Sequence, residues 1–345
     1  MMKRIALFSL FLLPVFFLKA QDLAEAKELL NNERYASAED LLEKKIGETG
    51  GQPDLNYLLV KTYLEQKKPA DAWSFIEKNQ INNVSSAADP YNKVAYAIYL
   101  LNTDNEEKAR EILSEILDDK KSKKNIDLLI AVADAYILYD DKGINDALQV
   151  IEIAEKRDKN NSALQLLKGN AYRVIHDGSN AYIAYQNAIK NDPSNIRAYY
   201  QLGKIFQSQK NDEMYLAQYQ KAYTIDSTYA PVLEALYHHY YTIDIKKARY
   251  YLEKYLKHTD YSLSNDYDLA DMYYLSKEYP AAIALATKIL EREGETAQPR
   301  LYKMIAYSYD EAGDKDKAWE FLNAYFIKEK PEQFVARDYE FKAKL

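Results

Sequence analysis

Two kinds of apolar pattern alternate with polar residues along this chain. The first is a single run, Ile5 to Leu18, preceded by Met1-Met2-Lys3-Arg4 and followed by Lys19-Ala20-Gln21. The second fills the rest. Apolar and small residues recur three and four apart, and the pattern returns about every 34 residues. The spacing of three and four predicts amphipathic helices rather than strands, whose apolar residues alternate every second position. The most regular block is Ser162 to Asn195, with Gly169, Tyr172, Ala181, Tyr185, Ala188 and Pro193 at fixed spacings. Weaker copies follow as Leu202-Gly203, Phe206, Tyr219, Ala222 and as Leu269-Ala270, Tyr273, Ala282, Ala286. A further copy reads Tyr302, Ala306, Tyr309, Gly313, Ala318, Leu322.

A helix pair cannot bury its apolar face alone, so a period of about 34 residues points to stacked pairs. Small residues such as Gly169, Gly203, Ala181 and Ala318 let two helix axes approach within about 8–10 Å, and aromatics fill the space beside them. Asn191-Asp192-Pro193-Ser194 ends one pair, because Pro cannot continue a helix. On these residues the chain resembles the tetratricopeptide repeat (TPR) family. The resemblance implies an all-α fold, an α-α superhelix of about nine helix-turn-helix repeats. Units are expected to begin near Asp22, Pro53, Pro90, Ile126, Ser162, Ile196, Ala230, Leu263 and Pro299. Each keeps a small residue on its second helix except the unit at Ile196, where Tyr215 stands in that place. The fourth unit fits with about two extra residues in the turn Tyr139 to Gly143.

The start of the chain has the basic, apolar and small-residue plan of a secretory signal peptide. The apolar run is shorter than the ~20 residues a membrane helix needs and contains Pro14. The expected organisation is a signal peptide over 1–20, cut after Ala20; a solenoid over 21–332; and a C-terminal capping helix over 333–345. The cap would use Phe334, Tyr339 and Phe341 to cover the last repeat. The protein is thus expected to be exported, periplasmic or secreted, with no membrane-spanning segment after cleavage.

Composition narrows the chemistry. The 345 residues include only 9 Gly, 9 Pro and no Cys, but 33 Tyr. No Cys excludes disulfides, thiolate metal sites and Cys nucleophiles. No Gly-rich phosphate loop is present. A net charge of −7 argues against nucleic acid as partner. The four histidines, His176, His238, His239 and His258, have no metal-ligand spacing, and acidic pairs such as Glu106-Glu107 read as solvated helix ends. No cofactor, metal or catalytic residue is expected. Lys120 to Lys124 is a basic cluster at a repeat boundary, and Asn83 and Asn160 begin glycosylation-type triplets.

What remains is the concave face. The resemblance implies that the first helices of each pair line it. Matching units places Tyr57 and Lys61, Asn170 and Arg173, and Tyr200 and Lys204 on that face. It also places there Tyr267, Asp271 and Tyr274, and Arg300, Lys303 and Tyr307. Tyr and Arg are enriched at binding hot spots. The expected function is a noncatalytic protein-interaction scaffold or assembly factor, holding a protein or peptide partner in the groove in an envelope assembly. The alternative is a glycan- or lipid-binding module using the same tyrosines; an enzyme without a visible motif is the third. Leu166 stands where a chaperone-binding carboxylate clamp needs Lys, so that activity is not carried over.

Overall fold

The structure, a computed structural model, describes residues 21–85, 87–139 and 141–345. The expected signal peptide lies outside the described residues. Among them there are helices and no strands. The helices come in consecutive pairs, the architecture of a TPR solenoid. The first pair is α1 (21–31) with α2 (Tyr35–Thr49). Next come α3 (Pro53–Glu65) with α4 (Pro69–Lys78), and α5 (Pro90–Leu101) with α6 (Glu106–Asp118). Then follow α7 (Ile126–Tyr139) with α8 (Ile144–Glu155), and α9 (Ser162–Val174) with α10 (Gly178–Asn191). The sixth and seventh pairs are α11 (Ile196–Ser208) with α12 (Asp212–Ile225), and α13 (Ala230–Tyr240) with α14 (Ile245–His258). The last two are α15 (Leu263–Leu275) with α16 (Tyr279–Glu293), and α17 (Pro299–Glu311) with α18 (Lys315–Lys328). A final helix, α19, runs Ala336–Lys344.

First helices begin where local chemistry starts them. Pro53, Pro90 and Pro299 sit in the first turn, where a missing N–H costs nothing. Asn161 and Asn195 accept from Leu164 and Ala198 N–H at 3.1 and 3.0 Å. They end in one repeated turn. Lys67, Asp104, His176, Lys210 and Lys277 all have φ between 55° and 62°. The next residue's N–H then closes back, as Lys68 to the Tyr63 carbonyl at 2.8 Å and Asp177 to Tyr172 at 2.9 Å. This is the 6→1 bond of a Schellman turn. In the fourth pair the extra residues form a short 3-10 turn, Asp141–Gly143. A Cβ on Gly143 would stand 2.3 Å from the Tyr136 carbonyl oxygen, so only Gly fits there.

In several pairs a small residue on the first helix meets the residue sixteen positions on. A Cβ on Gly169 would meet the Tyr185 ring at 2.3 Å, and one on Gly203 would meet Tyr219 at 2.2 Å. The ninth pair has Ala306 and Leu322 at these places and the eighth has Ala270 and Ala286, all fully buried. Where the first helix gives up its side chain, the second can carry a ring at native packing density. Tyr215 is also buried, its ring 5.6 Å from that of Tyr219.

Contacts divide the chain into two compact units, one ending at Val232 and one running from Leu233 to Leu345, with the division inside α13. In the first unit one continuous core runs through Leu42, Leu59, Val94, Leu113, Val132 and Ile151 to Leu164. In the second, Tyr267, Ile289, Leu301 and Ile305 form one cluster. Leu322, Tyr325 and Phe341 form another with Ala306. Phe341 of α19 stacks on Tyr307 at 4.1 Å, and Phe334 lies 4.7 Å from Phe326. Tyr339, by contrast, keeps half its surface in solvent. No helix among the described residues is long and apolar enough to cross a membrane.

Candidate functional site

The first helices of the first unit converge on one groove-shaped cavity of ≈310 Å³. Three of them present the same register. Asp54, Tyr57, Leu58 and Lys61 come from α3; Asp127, Ile130, Ala131 and Asp134 from α7; and Ala163, Leu166, Leu167 and Asn170 from α9. These are the second, fifth, sixth and ninth residues of their helices, the spacing that puts side chains on one helical face. The second residues of α5 and α11, Tyr91 and Arg197, join them, with Leu23, Lys27, Leu30 and Asn31 of α1. The floor is aliphatic and the rim carries charges of both signs.

Charge within the cavity is organised around Asp134. Its Oδ2 accepts from the Tyr57 hydroxyl at 3.0 Å and pairs with the Lys61 ammonium. Burial, reinforced by the Asp134 carboxylate, holds the Tyr57 phenol well above its ordinary range, so it stays a hydrogen-bond donor. Tyr91 lies 6.3 Å from Tyr57 ring to ring. Its phenol is pushed up to about 12 by burial and by the carboxylates of Asp127 and Asp54. Asn170 Oδ1 accepts from the Tyr185 hydroxyl at 2.9 Å. Arg197 donates to Asn31 Oδ1 at 2.8 Å.

Of the groove residues expected from sequence, Tyr57, Lys61 and Asn170 reach this cavity. Arg173 is turned to Gln201, to which its guanidinium donates. Tyr200 is buried between Tyr219 and Tyr229, with rings at 5.9 and 5.8 Å, and Lys204 lies over it at 5.5 Å. The remaining six belong to the second unit and are engaged by their own neighbours. Tyr267 donates to Glu293 and accepts from the Gln298 N–H at 3.1 Å. Arg300 pairs with Asp271 at 3.1 Å and lies 5.2 Å over the Tyr267 ring. Burial raises the Asp271 carboxyl against the pull of Arg300. Tyr274 leans on Tyr279 at 6.1 Å. Lys303 pairs with Asp338 of α19 and lies 5.1 Å over Tyr325. Tyr307 is held between Phe341 and the Arg337 guanidinium, 5.7 Å from its ring.

Sequence reasoning missed Lys27, Asp54, Tyr91, Asp127, Asp134 and Arg197. The signal was available: each of the last five is the second or ninth residue of a first helix, the register already assigned to Lys61 and Arg300. A second depression of ≈560 Å³ between α8, α9 and α10 is larger. It is lined only by Lys, Glu, Asn and Gln, mostly exposed, where water competes for most of these groups. Among the described residues no group of three or more His, Asp or Glu is placed to hold a metal ion.

These consecutive helix pairs have the architecture of a tetratricopeptide-repeat solenoid, and their first helices build the cavity. No family model matches the chain, and no curated protein matches it. Its similarity to solved structures is distant. One is the APC/C hetero-tetramer Cut9-Hcn1, at 16% identity and a TM-score of 0.43, covering 90% of this chain and 58% of that one. The chain thus spans little over half of that relative. Another is YrrB, a TPR protein with an unusual peptide-binding site, at 15% identity and 0.48, covering 56% and 98%. PilF of Pseudomonas aeruginosa follows at 20% identity and 0.48, covering 64% and 97%.

Proposed function

We propose that the first unit holds a segment of a partner protein in its cavity, and that the chain is a noncatalytic scaffold. One observation carries this reading. The same helical registers of α3, α7 and α9 converge on a single cavity with aliphatic floor and polar rim. Such a surface suits an extended segment: alternate side chains bury on Leu58, Ile130, Leu166 and Leu167, and polar backbone groups meet Asn31, Asn170 and the rim. The export plan of residues 1–20 supports action outside the cytosol, in the envelope or beyond. The cavity is also of small-ligand size, near the lower end of the usual ~300–1,000 Å³. That favours, as a second reading, a glycan or lipid held against Tyr57 and Tyr91.

A display library of random 12-residue peptides, panned on the purified chain, tests the first reading. Enriched peptides are expected to bind about tenfold or more weakly to the Asp54→Asn, Asp127→Asn double variant. Both positions are partly or fully exposed, so the fold is expected to be kept. Peptides that bind the variant equally well overturn the reading. A thermal-shift response to a glycan or lipid panel, with no peptide enriched, selects the second.

A further inference from the structure

In a solenoid each repeat touches its neighbours, and contacts that leap several repeats are the exception. Two hydrogen bonds among the described residues of the first unit make such contacts. Asn31, at the end of α1, accepts from the Arg197 guanidinium of α11 at 2.8 Å, across 166 residues. Asn32, the next residue, accepts from the Ala230 N–H that opens α13 at 3.3 Å, across 198 residues. The turn of the first repeat thus caps the first helix of the seventh. Arg197 is also close enough to Tyr35 and Tyr229 to bias both phenols. Asn31 and Arg197 both line the cavity, so this contact forms part of its wall.

We infer that the turn joining α1 to α2 is a latch that closes the first unit's coil, and that a segment is admitted to the cavity when Asn31 and Asn32 release Arg197 and Ala230. The inference rests on the groove reading for what is admitted. Its physical ground is separate. Breaking these contacts leaves every neighbour-to-neighbour interface intact, so the coil can open without unfolding a repeat. The rest of α1 stays anchored, since Ala26 is fully buried and Leu23 and Leu30 pack on the continuous core. The Arg197–Asn31 bond is an exposed side-chain contact, the class that opens most readily, and the Asn32 bond to the N–H of the buried Ala230 lies one residue beyond it. Loading then becomes a gated step, with its rate set by latch opening rather than by diffusion.

The chain has no Cys, so introduced thiols react alone. A short bismaleimide is used to bridge the thiols of the Asn31→Cys, Arg197→Cys variant, whose native side chains meet. Uptake of the amphiphilic anionic dye 1-anilinonaphthalene-8-sulfonate is followed by stopped-flow. The bridged chain is expected to take up dye at least about tenfold more slowly than the same variant unbridged, with the native chain between them. Equal rates in bridged and unbridged chains overturn the latch. A second arm needs no ligand. Arg197→Ala is expected to speed hydrogen exchange at the Ala230 amide about tenfold, although Arg197 does not bond to it, because the two contacts open together. An unchanged Ala230 amide overturns the latch. If no form takes up dye, the groove reading fails and the exchange result alone decides the latch.

Discussion

The second, fifth and ninth residues of the first helices have opposite fates in the two units. In α3 and α7 of the first unit, Asp54, Tyr57, Lys61, Asp127 and Asp134 face a cavity. In α15 and α17 of the second, Tyr267, Asp271, Arg300, Lys303 and Tyr307 fill the same registers and are spent on one another and on α19. Register places a side chain on the inner face of a repeat. Whether it is available depends on what lies opposite: neighbouring first helices in the first unit, and the chain's own C-terminal helix in the last repeat. Groove position is therefore a poor guide to binding where a cap helix occupies the groove.

The comparison can be broken most forcefully at α19. Phe341→Ala removes a buried ring stacked on Tyr307, and is expected to destabilise the second unit by about 3–5 kcal/mol in urea unfolding. Protection of α3, α7 and α9 amides in hydrogen exchange should not change. Equal loss in both units would show that the cover matters to the whole chain.

Acid should act next, and on one unit more than the other. Burial of Asp338 would raise its carboxyl, yet Lys303, the Val335 N–H and Tyr325 together hold it below the ordinary range. A carboxyl lowered in the folded state stabilises fully above its unfolded value and loses that contribution as pH falls through its folded value. Asp310, held down by Lys315 and Lys344 against its burial, acts in the same direction. In the first unit Glu65 is raised by burial, so protonation there relieves a cost. Exchange at α17 and α19 is expected to accelerate below about pH 4 before exchange at α3. The reverse order contradicts the assignment of Asp338.

Asp134→Asn sharpens the other side. It removes the charge that holds Lys61 and Tyr57 on a partly exposed wall, and should cost about 1 kcal/mol or less in stability. Its effect on peptide capture should be much larger, a loss of about tenfold or more. A variant with unchanged capture would remove Asp134 from the site. The smallest effect is a control on the comparison itself. Lys67→Gly in the first unit and Lys277→Gly in the second relax the same left-handed turn, at φ 58° and 62°. Each should stabilise by about 0.5–1 kcal/mol in thermal unfolding, and by similar amounts. Unequal gains would place part of the difference in the turns.

Much of this fold was legible from residues alone. Pro53, Pro90, Ile126, Ser162, Ile196, Ala230, Leu263 and Pro299 begin helices where the repeat spacing put them. Each is marked locally, by a proline in the first turn, by a cap such as Asn161, or by the repeat period. Gly169 and Gly203 could be read as sites of close helix approach, which the Tyr185 and Tyr219 rings explain. The candidate site was legible only in part. Helical periodicity finds the inner face of α3, so Tyr57 and Lys61 could be named. It does not say that Asp134, four helices later, meets both of them. It does not say that Asn31 meets Arg197. Those meetings depend on small rotations accumulated from repeat to repeat, which no single spacing records. The cover over Tyr307 was hidden for a related reason. The tail could be read as a cap, but not which groove residues it would occupy.

The central claim is that the first unit binds through its first helices while the matching face of the last repeat is self-occupied. Photo-crosslinking tests it most directly, with p-benzoylphenylalanine placed at Tyr91 in one chain and at Tyr307 in another, each mixed with a library-enriched peptide. The account predicts a peptide adduct from position 91, and from position 307 only a bond within the chain to α19. A peptide adduct from 307 matching or exceeding that from 91 would contradict it.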